Sequence, residues 1–357
     1  MSKYTPSKQA VSVNQLTALV SMCVQVNEIP LVLGSPGIGK SAVYREVADM
    51  FSMEFLDFRL SMADPMDLIG LPHTNKETER MTYALPNFFP LEGDEIPTGK
   101  AGWLISFEEI NSAPPALQAI AYKILHDRMI GDKKLHPSVR LVANGNLETD
   151  GAIVEPLSSA LASRMILIES YIDPKEWLKW AGSTTCKVDF NPIVLAYLNF
   201  KQSNVHNFNP SSADKSYPCP RTWEKVSKLL YHFSPKDSHV RSFIEGAVGA
   251  GCAVDFYTFI KFFGEVPKLS DVLGKGLNAP VPSELGIKYA TVVSFASQVT
   301  EQNITELTDY FLRLNVNDFS PEHFFVFMKA ANKTLPGLVK FIRADQTDKL
   351  ISLSGVK

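Results

Sequence analysis

The first half of the chain alternates short apolar runs with stretches of helical period. Five runs have the length and composition of β-strands, and several are continuously apolar, as is usual for strands that are covered on both faces. They lie at residues 29–34, 54–60, 103–108, 139–144 and 165–169. Because helical stretches separate them, the pattern predicts βα units and a mostly parallel sheet.

The second half follows a different pattern. From residue 171 onward, aromatic residues recur at helical spacing, for example at 255–263 and 322–331, and no strand-rich stretch returns. This spacing predicts packed helices. A stretch rich in Asn, Ser and Pro at 203–220 predicts a long loop between them.

Composition narrows the class of protein. The 357 residues include 35 basic and 38 acidic side chains, a net charge of −3 with both signs scattered, which argues against a nucleic-acid or membrane-surface role. The four cysteines lie far apart, as in a protein of a reducing compartment. There is no secretory signal and no apolar run near the roughly 20 residues that cross a bilayer, so we expect a soluble, cytoplasmic protein.

The segment after the first predicted strand matches G-x-x-x-x-G-K-[ST], the phosphate-binding P-loop, and a helical stretch follows it. Its residues are Gly34, Ser35, Pro36, Gly37, Ile38, Gly39, Lys40 and Ser41. In such a loop backbone N–H groups surround phosphates, Lys40 reaches the β- and γ-phosphates, and the Ser41 hydroxyl ligates Mg²⁺. A Gly-rich turn is the alternative, but the strand–loop–helix context favours a nucleoside triphosphate site.

An acidic pair, Glu108 and Glu109, ends the third predicted strand. Cleavage of a triphosphate needs a carboxylate near the metal and a residue that positions the attacking water. We therefore expect Glu108 to face Mg²⁺, and Glu109 to orient or deprotonate the water. The alternative is a solvated acidic strand end.

The sequence EEINSAPP at 108–115, running on to DR at 127–128, resembles the region around the Walker B strand of MoxR-like ATPases, a branch of the AAA+ superfamily. The resemblance extends from residue 29 to about residue 230. The branch usually carries Asp-Glu-Ile-Asn-Arg-Ala at this place. Here Glu108 replaces the Asp and Ser112 replaces the Arg.

The resemblance implies three further site residues. Asn146 aligns with the sensor 1 residue that helps to position the water; Asn144 is the second candidate, and an Asn-Gly turn the alternative. The segment 156–165, which contains Arg164, is similar to the helix that ends in an arginine finger, a residue that acts on a neighbouring subunit's nucleotide. Arg221 looks like the sensor 2 residue of the lid, which approaches the β- and γ-phosphates. The alternative for Arg164 is an ordinary arginine at the end of a helix. The alternative for Arg221 is that the preceding proline simply begins a helix.

Between the second and third predicted strands lies a segment that resembles an insertion of the MoxR branch, where it projects towards the central face of a ring. Four of its apolar residues either contact a partner or substrate, or pack on the domain itself. They are Ile69, Leu71, Phe88 and Phe89.

The implied fold is an α/β AAA+ core with a five-stranded parallel sheet of order 5-1-4-3-2, a helical lid and a helical C-terminal extension. The expected bounds are 1–170 for the core, with the insertion at 61–100, then 171–267 for the lid and 268–357 for the extension. The implied function is hydrolysis of ATP with Mg²⁺ at the subunit interfaces of a ring, expected to be a hexamer, which remodels or assembles a protein partner.

Members of the branch often work with a von Willebrand factor A-type protein, which would here be a separate chain, and compact ATPases of this kind also occur in phage genomes. Two other functions stay open. One is a nucleotide-gated assembly or scaffold protein with weak hydrolysis. The other is a DNA-associated NTPase motor, which the near-neutral charge disfavours.

Overall fold

The computed structural model describes residues 10–77, 79–150, 163–183, 186–210, 212, 214–314 and 318–354. The chain divides into two compact units, which we call the α/β unit (Met1–Asp173 with Phe208–Ser212) and the helical unit (Pro174–Asn207 with Ala213–Lys357). The predicted division of the helical part into a lid and an extension stays a prediction.

The α/β unit contains strands and helices in alternation. Its strands are β1 (Val11–Ser12), β2 (Pro30–Leu33), β3 (Met53–Arg59), β4 (Leu71–Thr74), β5 (Met81–Ala84), β6 (Gly102–Glu108), β7 (Met129–Ile130), β8 (Lys133–Lys134), β9 (Val139–Gly145) and β10 (Ile166–Tyr171). Its helices are α1 (Val13–Gln25), α2 (Lys40–Met50), α3 (Pro65–Ile69) and α4 (Pro115–Asp127).

Six of these strands form one parallel sheet in the order β1-β10-β2-β9-β6-β3. The five strands that the sequence predicts therefore lie in the expected order 5-1-4-3-2. The sixth, β1, was not predicted; it has only two residues, too few to show a pattern. The parallel arrangement brings the carboxyl ends of the strands to one edge, where sites of open α/β sheets form.

Both faces of the sheet are buried. Successive strand residues point to opposite faces, so Leu104 packs with residues of α1 and α2, whereas Ile105 packs with residues of α4 and the insertion. Strand β6 is buried along its whole length. This double burial explains the continuous apolar runs in the sequence.

The insertion forms α3 and an antiparallel hairpin of β4 and β5. Of its four apolar candidates for partner contact, Phe89 is buried, and Ile69 and Phe88 pack against the core as partly buried residues. Leu71 is 57% exposed. Three of the four thus pack on the domain itself, and Leu71 is the one that can reach a partner.

The described part of the helical unit has only helical elements, as the aromatic pattern predicts. They are α5 (Pro174–Gly182), α6 (Pro192–Phe200), α7 (Pro220–Leu230), α8 (Ser238–Val248), α9 (Ala250–Lys261), α10 (Leu285–Ala296), α11 (Ile304–Phe311), α12 (Pro321–Thr334) and α13 (Ala344–Ser354), with short 3₁₀ turns between them. Helices α6, α10 and α12 pack against one another. Across the whole described chain, none of the helices has both the length and the apolar character that a membrane crossing requires.

Candidate active site

The P-loop connects the end of β2 to the start of α2. Two of its glycines, Gly37 (φ 82°) and Gly39 (φ 107°), adopt backbone conformations that other residues rarely reach. Lys40 is buried, and its Nζ donates to the carbonyl oxygens of Gly34 at 2.5 Å and Ser35 at 3.1 Å. The first N–H groups of α2 have no partner within the helix, so loop, lysine and helix end together suit a phosphate group.

Glu108 lies at the end of β6 with 5% of its surface exposed. Its carboxylate accepts hydrogen bonds from Ser41 Oγ at 2.6 Å, Ser106 Oγ at 2.7 Å and Asn144 Nδ2 at 2.6 Å. The two predicted metal ligands, Ser41 and Glu108, are therefore in direct contact. A hydroxyl and a carboxylate are hard oxygen ligands, and this pair fits Mg²⁺.

The two asparagines of β9 and its end take different positions. Asn144 Oδ1 accepts a hydrogen bond from the backbone N–H of Glu109 at 3.1 Å, so this one amide bonds both members of the acidic pair. Asn146 is held through its backbone, which exchanges hydrogen bonds of 3.0 and 2.7 Å with the Asn111 side chain. The assignment of Asn146 to the water therefore stays a prediction, and Asn144 is the asparagine whose side chain contacts the acidic pair.

Glu109 combines an unusual backbone with a restrained carboxylate. Its φ of 58° is left-handed, a conformation that costs a non-glycine residue free energy. Ser61 Oγ donates to Glu109 Oε2 at 2.5 Å, and Arg59 Nε lies 3.9 Å from Oε1. The Glu109 side chain is 40% exposed, so its carboxylate can reach a water molecule once these contacts change.

Asp150 lies beside the P-loop and was not predicted. It accepts a hydrogen bond from Ser35 Oγ at 3.1 Å and is 6% exposed. Its second oxygen is buried and has no hydrogen-bond partner among the described residues. Burial raises the pKa of Asp150, against the opposing effects of the Ser35 hydrogen bond and the nearby Lys40 charge.

Arg164 lies just before β10, and the helix that was predicted to lead to it falls largely on 151–162, outside the described residues. Its Nε donates to His126 Nδ1 at 3.1 Å, and its guanidinium carbon lies 5.1 Å from the centre of the Tyr122 ring. Both partners are on α4. The side chain is exposed, and its action on a neighbouring subunit stays a prediction.

Arg221 belongs to the helical unit, where it is the second residue of α7 and is exposed. The helix is fixed by its buried face, on which Trp223 Nε1 donates to the Asn204 carbonyl at 2.7 Å. Lys215 and Lys225 line, with Arg221, a cleft of about 240 Å³ in this unit. The three cations suit an anionic group.

Sequence reasoning missed three residues of the site, although two of them left a signal. Ser106 is two residues before Glu108, and such residues share one face of a strand. Ser61 follows β3, and β3 pairs with β6, so the two strand ends had to meet. Asp150 gave no signal, because a single acid in a polar loop is common.

The chain was compared with known proteins. Among solved structures, the chain is similar to a candidate ATPase from Cytophaga hutchinsonii, at 16% identity and a TM-score of 0.35 over 55% of this chain and 66% of that one. It is also similar to NtrX from Brucella abortus in complex with ADP, at 13% identity and a TM-score of 0.37 over 98% of this chain and 70% of that one. A third similar structure is a RuvB mutant from Thermotoga maritima, at 14% identity and a TM-score of 0.38 over 85% of this chain and 89% of that one.

The chain thus spans just under two thirds of the length of the Cytophaga hutchinsonii protein. The curated proteins contain no significant match to it. Residues 30–165 match the family model of the AAA domain, dynein-related subfamily. This match covers the P-loop, the acidic pair and the strands between them, so this part of the chain is similar to an AAA domain and supports an ATP-hydrolysing enzyme.

Proposed function

We propose that the chain is a ring-forming ATPase of the MoxR-like branch that hydrolyses ATP between its subunits and thereby remodels or assembles a protein partner. The observation that carries the proposal is the contact of Ser41 on the P-loop with Glu108, and the amide of Asn144 that joins Glu108 to Glu109. In this proposal, the groups that bind phosphate and the groups that activate water lie at one edge of the sheet.

Each group has a distinct part in the proposed reaction. The P-loop N–H groups and Lys40 bind the phosphates of ATP, and Glu109 accepts a proton from the attacking water or orients it. Ser41 and Glu108 hold the metal site, where Mg²⁺, when bound, neutralises charge on the phosphate oxygens. Arg164 would stabilise the γ-phosphate of a neighbouring copy, and Arg221 would link the helical unit to the nucleotide state.

The proposed partners follow from this scheme. A second copy of the chain is required at every site, and a hexamer is the ring that we expect. The client is a separate protein, for which a von Willebrand factor A-type chain is one candidate. Because the chain has a net charge of −3 with both signs scattered, we propose neither a nucleic acid nor a membrane as a partner. We also propose that the protein is cytoplasmic.

Purification of a Glu109→Gln variant in ATP and magnesium tests the proposal. The variant retains the contacts that bind ATP but lacks the base, so it should accumulate as an ATP-filled ring with its client, which mass spectrometry identifies. Lys40→Ala is the matched control, because it loses phosphate binding and should remain unassembled. A Glu109→Gln protein that stays monomeric in saturating ATP contradicts the ring.

One observation favours a second candidate, a nucleotide-gated assembly protein with slow turnover. The Glu109 carboxylate is engaged by Ser61 and Arg59, and both contacts must break before it can act as a base. Turnover in bulk ATP separates the two functions. A remodelling enzyme hydrolyses steadily and responds to its client, whereas a gated scaffold binds ATP tightly and stays assembled with little turnover.

A further inference from the structure

Three side chains meet on an exposed face of the α/β unit. Arg164 donates from Nε to His126 Nδ1 at 3.1 Å, and its guanidinium carbon lies 5.1 Å from the Tyr122 ring centre. The Tyr122 and His126 rings are 5.6 Å apart with an interplanar angle of 30°. Because the two residues are four positions apart on α4, they share one side of the helix and form a single platform.

The platform engages a particular part of the guanidinium. The contact with His126 uses Nε, and the terminal nitrogen Nη1 donates to Ser163 Oγ at 3.4 Å. Terminal nitrogens are the ones suited to paired contacts with phosphate oxygens. On the other side of the His126 ring, Nε2 lies 3.8 Å from Asp127 Oδ1.

We infer that Tyr122 and His126 are positioning residues that hold Arg164 in place for the nucleotide of a neighbouring copy. This inference rests on the proposed function of Arg164. A free arginine samples many rotamers, and restricting it before the neighbour arrives lowers the entropy cost of its phosphate contact. Neither ring is required to touch the nucleotide.

Steady-state hydrolysis by variants of the platform tests the inference. The Tyr122→Leu/His126→Leu double variant should lower kcat about tenfold and leave the KM for ATP unchanged, because it removes one cation–π contact and one hydrogen bond to Arg164. Tyr122→Phe keeps the ring face, and His126→Asn keeps a hydrogen-bond acceptor, so both single variants should retain kcat. Lys123→Gln is the matched control, since Lys123 is an exposed residue of the same helix that donates to the Gly131 carbonyl.

A second experiment separates this inference from the proposed function. Arg164→Ala and Glu109→Gln chains should each be inactive alone, but a mixture of the two should recover activity if the arginine acts on a neighbour. The platform double variant should recover in the same way with Glu109→Gln chains and gain nothing from Arg164→Ala chains. Adding its substitutions to Arg164→Ala should cause no further loss of kcat.

The outcomes are distinguishable. If Arg164→Ala and Glu109→Gln chains fail to complement each other, the proposal that Arg164 acts between subunits is contradicted. The proposed role of the platform is then contradicted as well. If they complement but the platform variant, folded as judged by thermal unfolding, has unchanged kcat, the inference alone is overturned. A rise in kcat overturns it too, because the contacts would then restrain the arginine. His126→Leu alone provides the same readout if the double variant does not fold.

Discussion

The side-chain amide of Asn144 donates to Glu108 Oε2 at 2.6 Å, and its oxygen accepts from the backbone N–H of Glu109 at 3.1 Å. One neutral side chain thus fixes the position of both acids without adding charge to the site. Asn144 is buried in the middle of the sheet, in β9, which pairs with both β2 and β6. It therefore links the strand that precedes the P-loop to the strand that carries the acids.

We predict that Asn144→Ala lowers kcat by about 10- to 100-fold, a loss that is usual for residues that orient metal or catalytic ligands. The magnesium concentration needed for half-maximal activity should rise as well, because Glu108 loses one of its hydrogen-bond donors. ATPase assays over a magnesium titration measure both effects. Asn146→Ala is the informative comparison: if it causes the larger loss in kcat, Asn146 is the residue that positions the water and Asn144 has a structural role.

The hydrogen bond from Ser61 to Glu109 predicts a variant with faster turnover. Ser61→Ala removes a contact that must break before Glu109 can reach water, so basal kcat should rise by up to about fivefold, the equivalent of one ordinary hydrogen bond. Ser61→Thr keeps the hydroxyl and should behave as the parent protein. A decrease in kcat for Ser61→Ala would show that Ser61 orients Glu109 for the reaction.

The left-handed backbone of Glu109 predicts a conflict between stability and activity. Asn tolerates this conformation better than Glu, so Glu109→Asn should increase the free energy of unfolding by about 1 kcal/mol while it removes hydrolysis. Glu109→Gln is the control, since it removes the charge and keeps the unfavourable backbone. Urea unfolding of the two variants measures the difference, and equal stability would contradict the account.

Much of the α/β unit could be predicted because burial on both faces leaves a strong pattern. The run from Trp103 to Glu108 is apolar almost throughout, and β6 is buried at every position. The β4–β5 hairpin was not predicted. All four residues of β4 are exposed, and its sequence shows no alternation of apolar and polar residues. The short pair of β7 and β8 has two residues in each strand, which no periodicity can show.

The site was predictable where a motif fixes the spacing, and less so where folding brings distant residues together. Ser41 and Glu108 are 67 positions apart, yet each belongs to a recognisable motif, and they are in contact. Ser61 and Asn144 act through pairings between strands, so their roles depend on the register of the sheet. The choice between Asn144 and Asn146 required side-chain directions that the sequence does not contain.

The helical unit contains a histidine whose burial predicts the pH dependence of stability. His323 is 3% exposed, stacks on Tyr289 with ring centres 4.1 Å apart, and binds Ser320 at the start of α12 through Nδ1. Burial, and secondarily the charge of Lys288, lowers the pKa of His323 from 6.5 to about 4. The folded state therefore favours the neutral ring.

The direction of the effect follows from proton uptake. Between pH 6.5 and pH 4 the unfolded histidine binds a proton that the folded one does not, so the free energy of unfolding should fall as the pH decreases, by about 2 kcal/mol at pH 5. His323→Asn does not titrate, and the difference between its urea unfolding at pH 7 and pH 5 should be smaller by that amount. His239→Asn is the matched control, because the side chain of His239 is 97% exposed. If the free energy of unfolding depends equally on pH in the parent protein and in His323→Asn, His323 does not control stability in acid. The loss of stability would then come from the protonation of other groups.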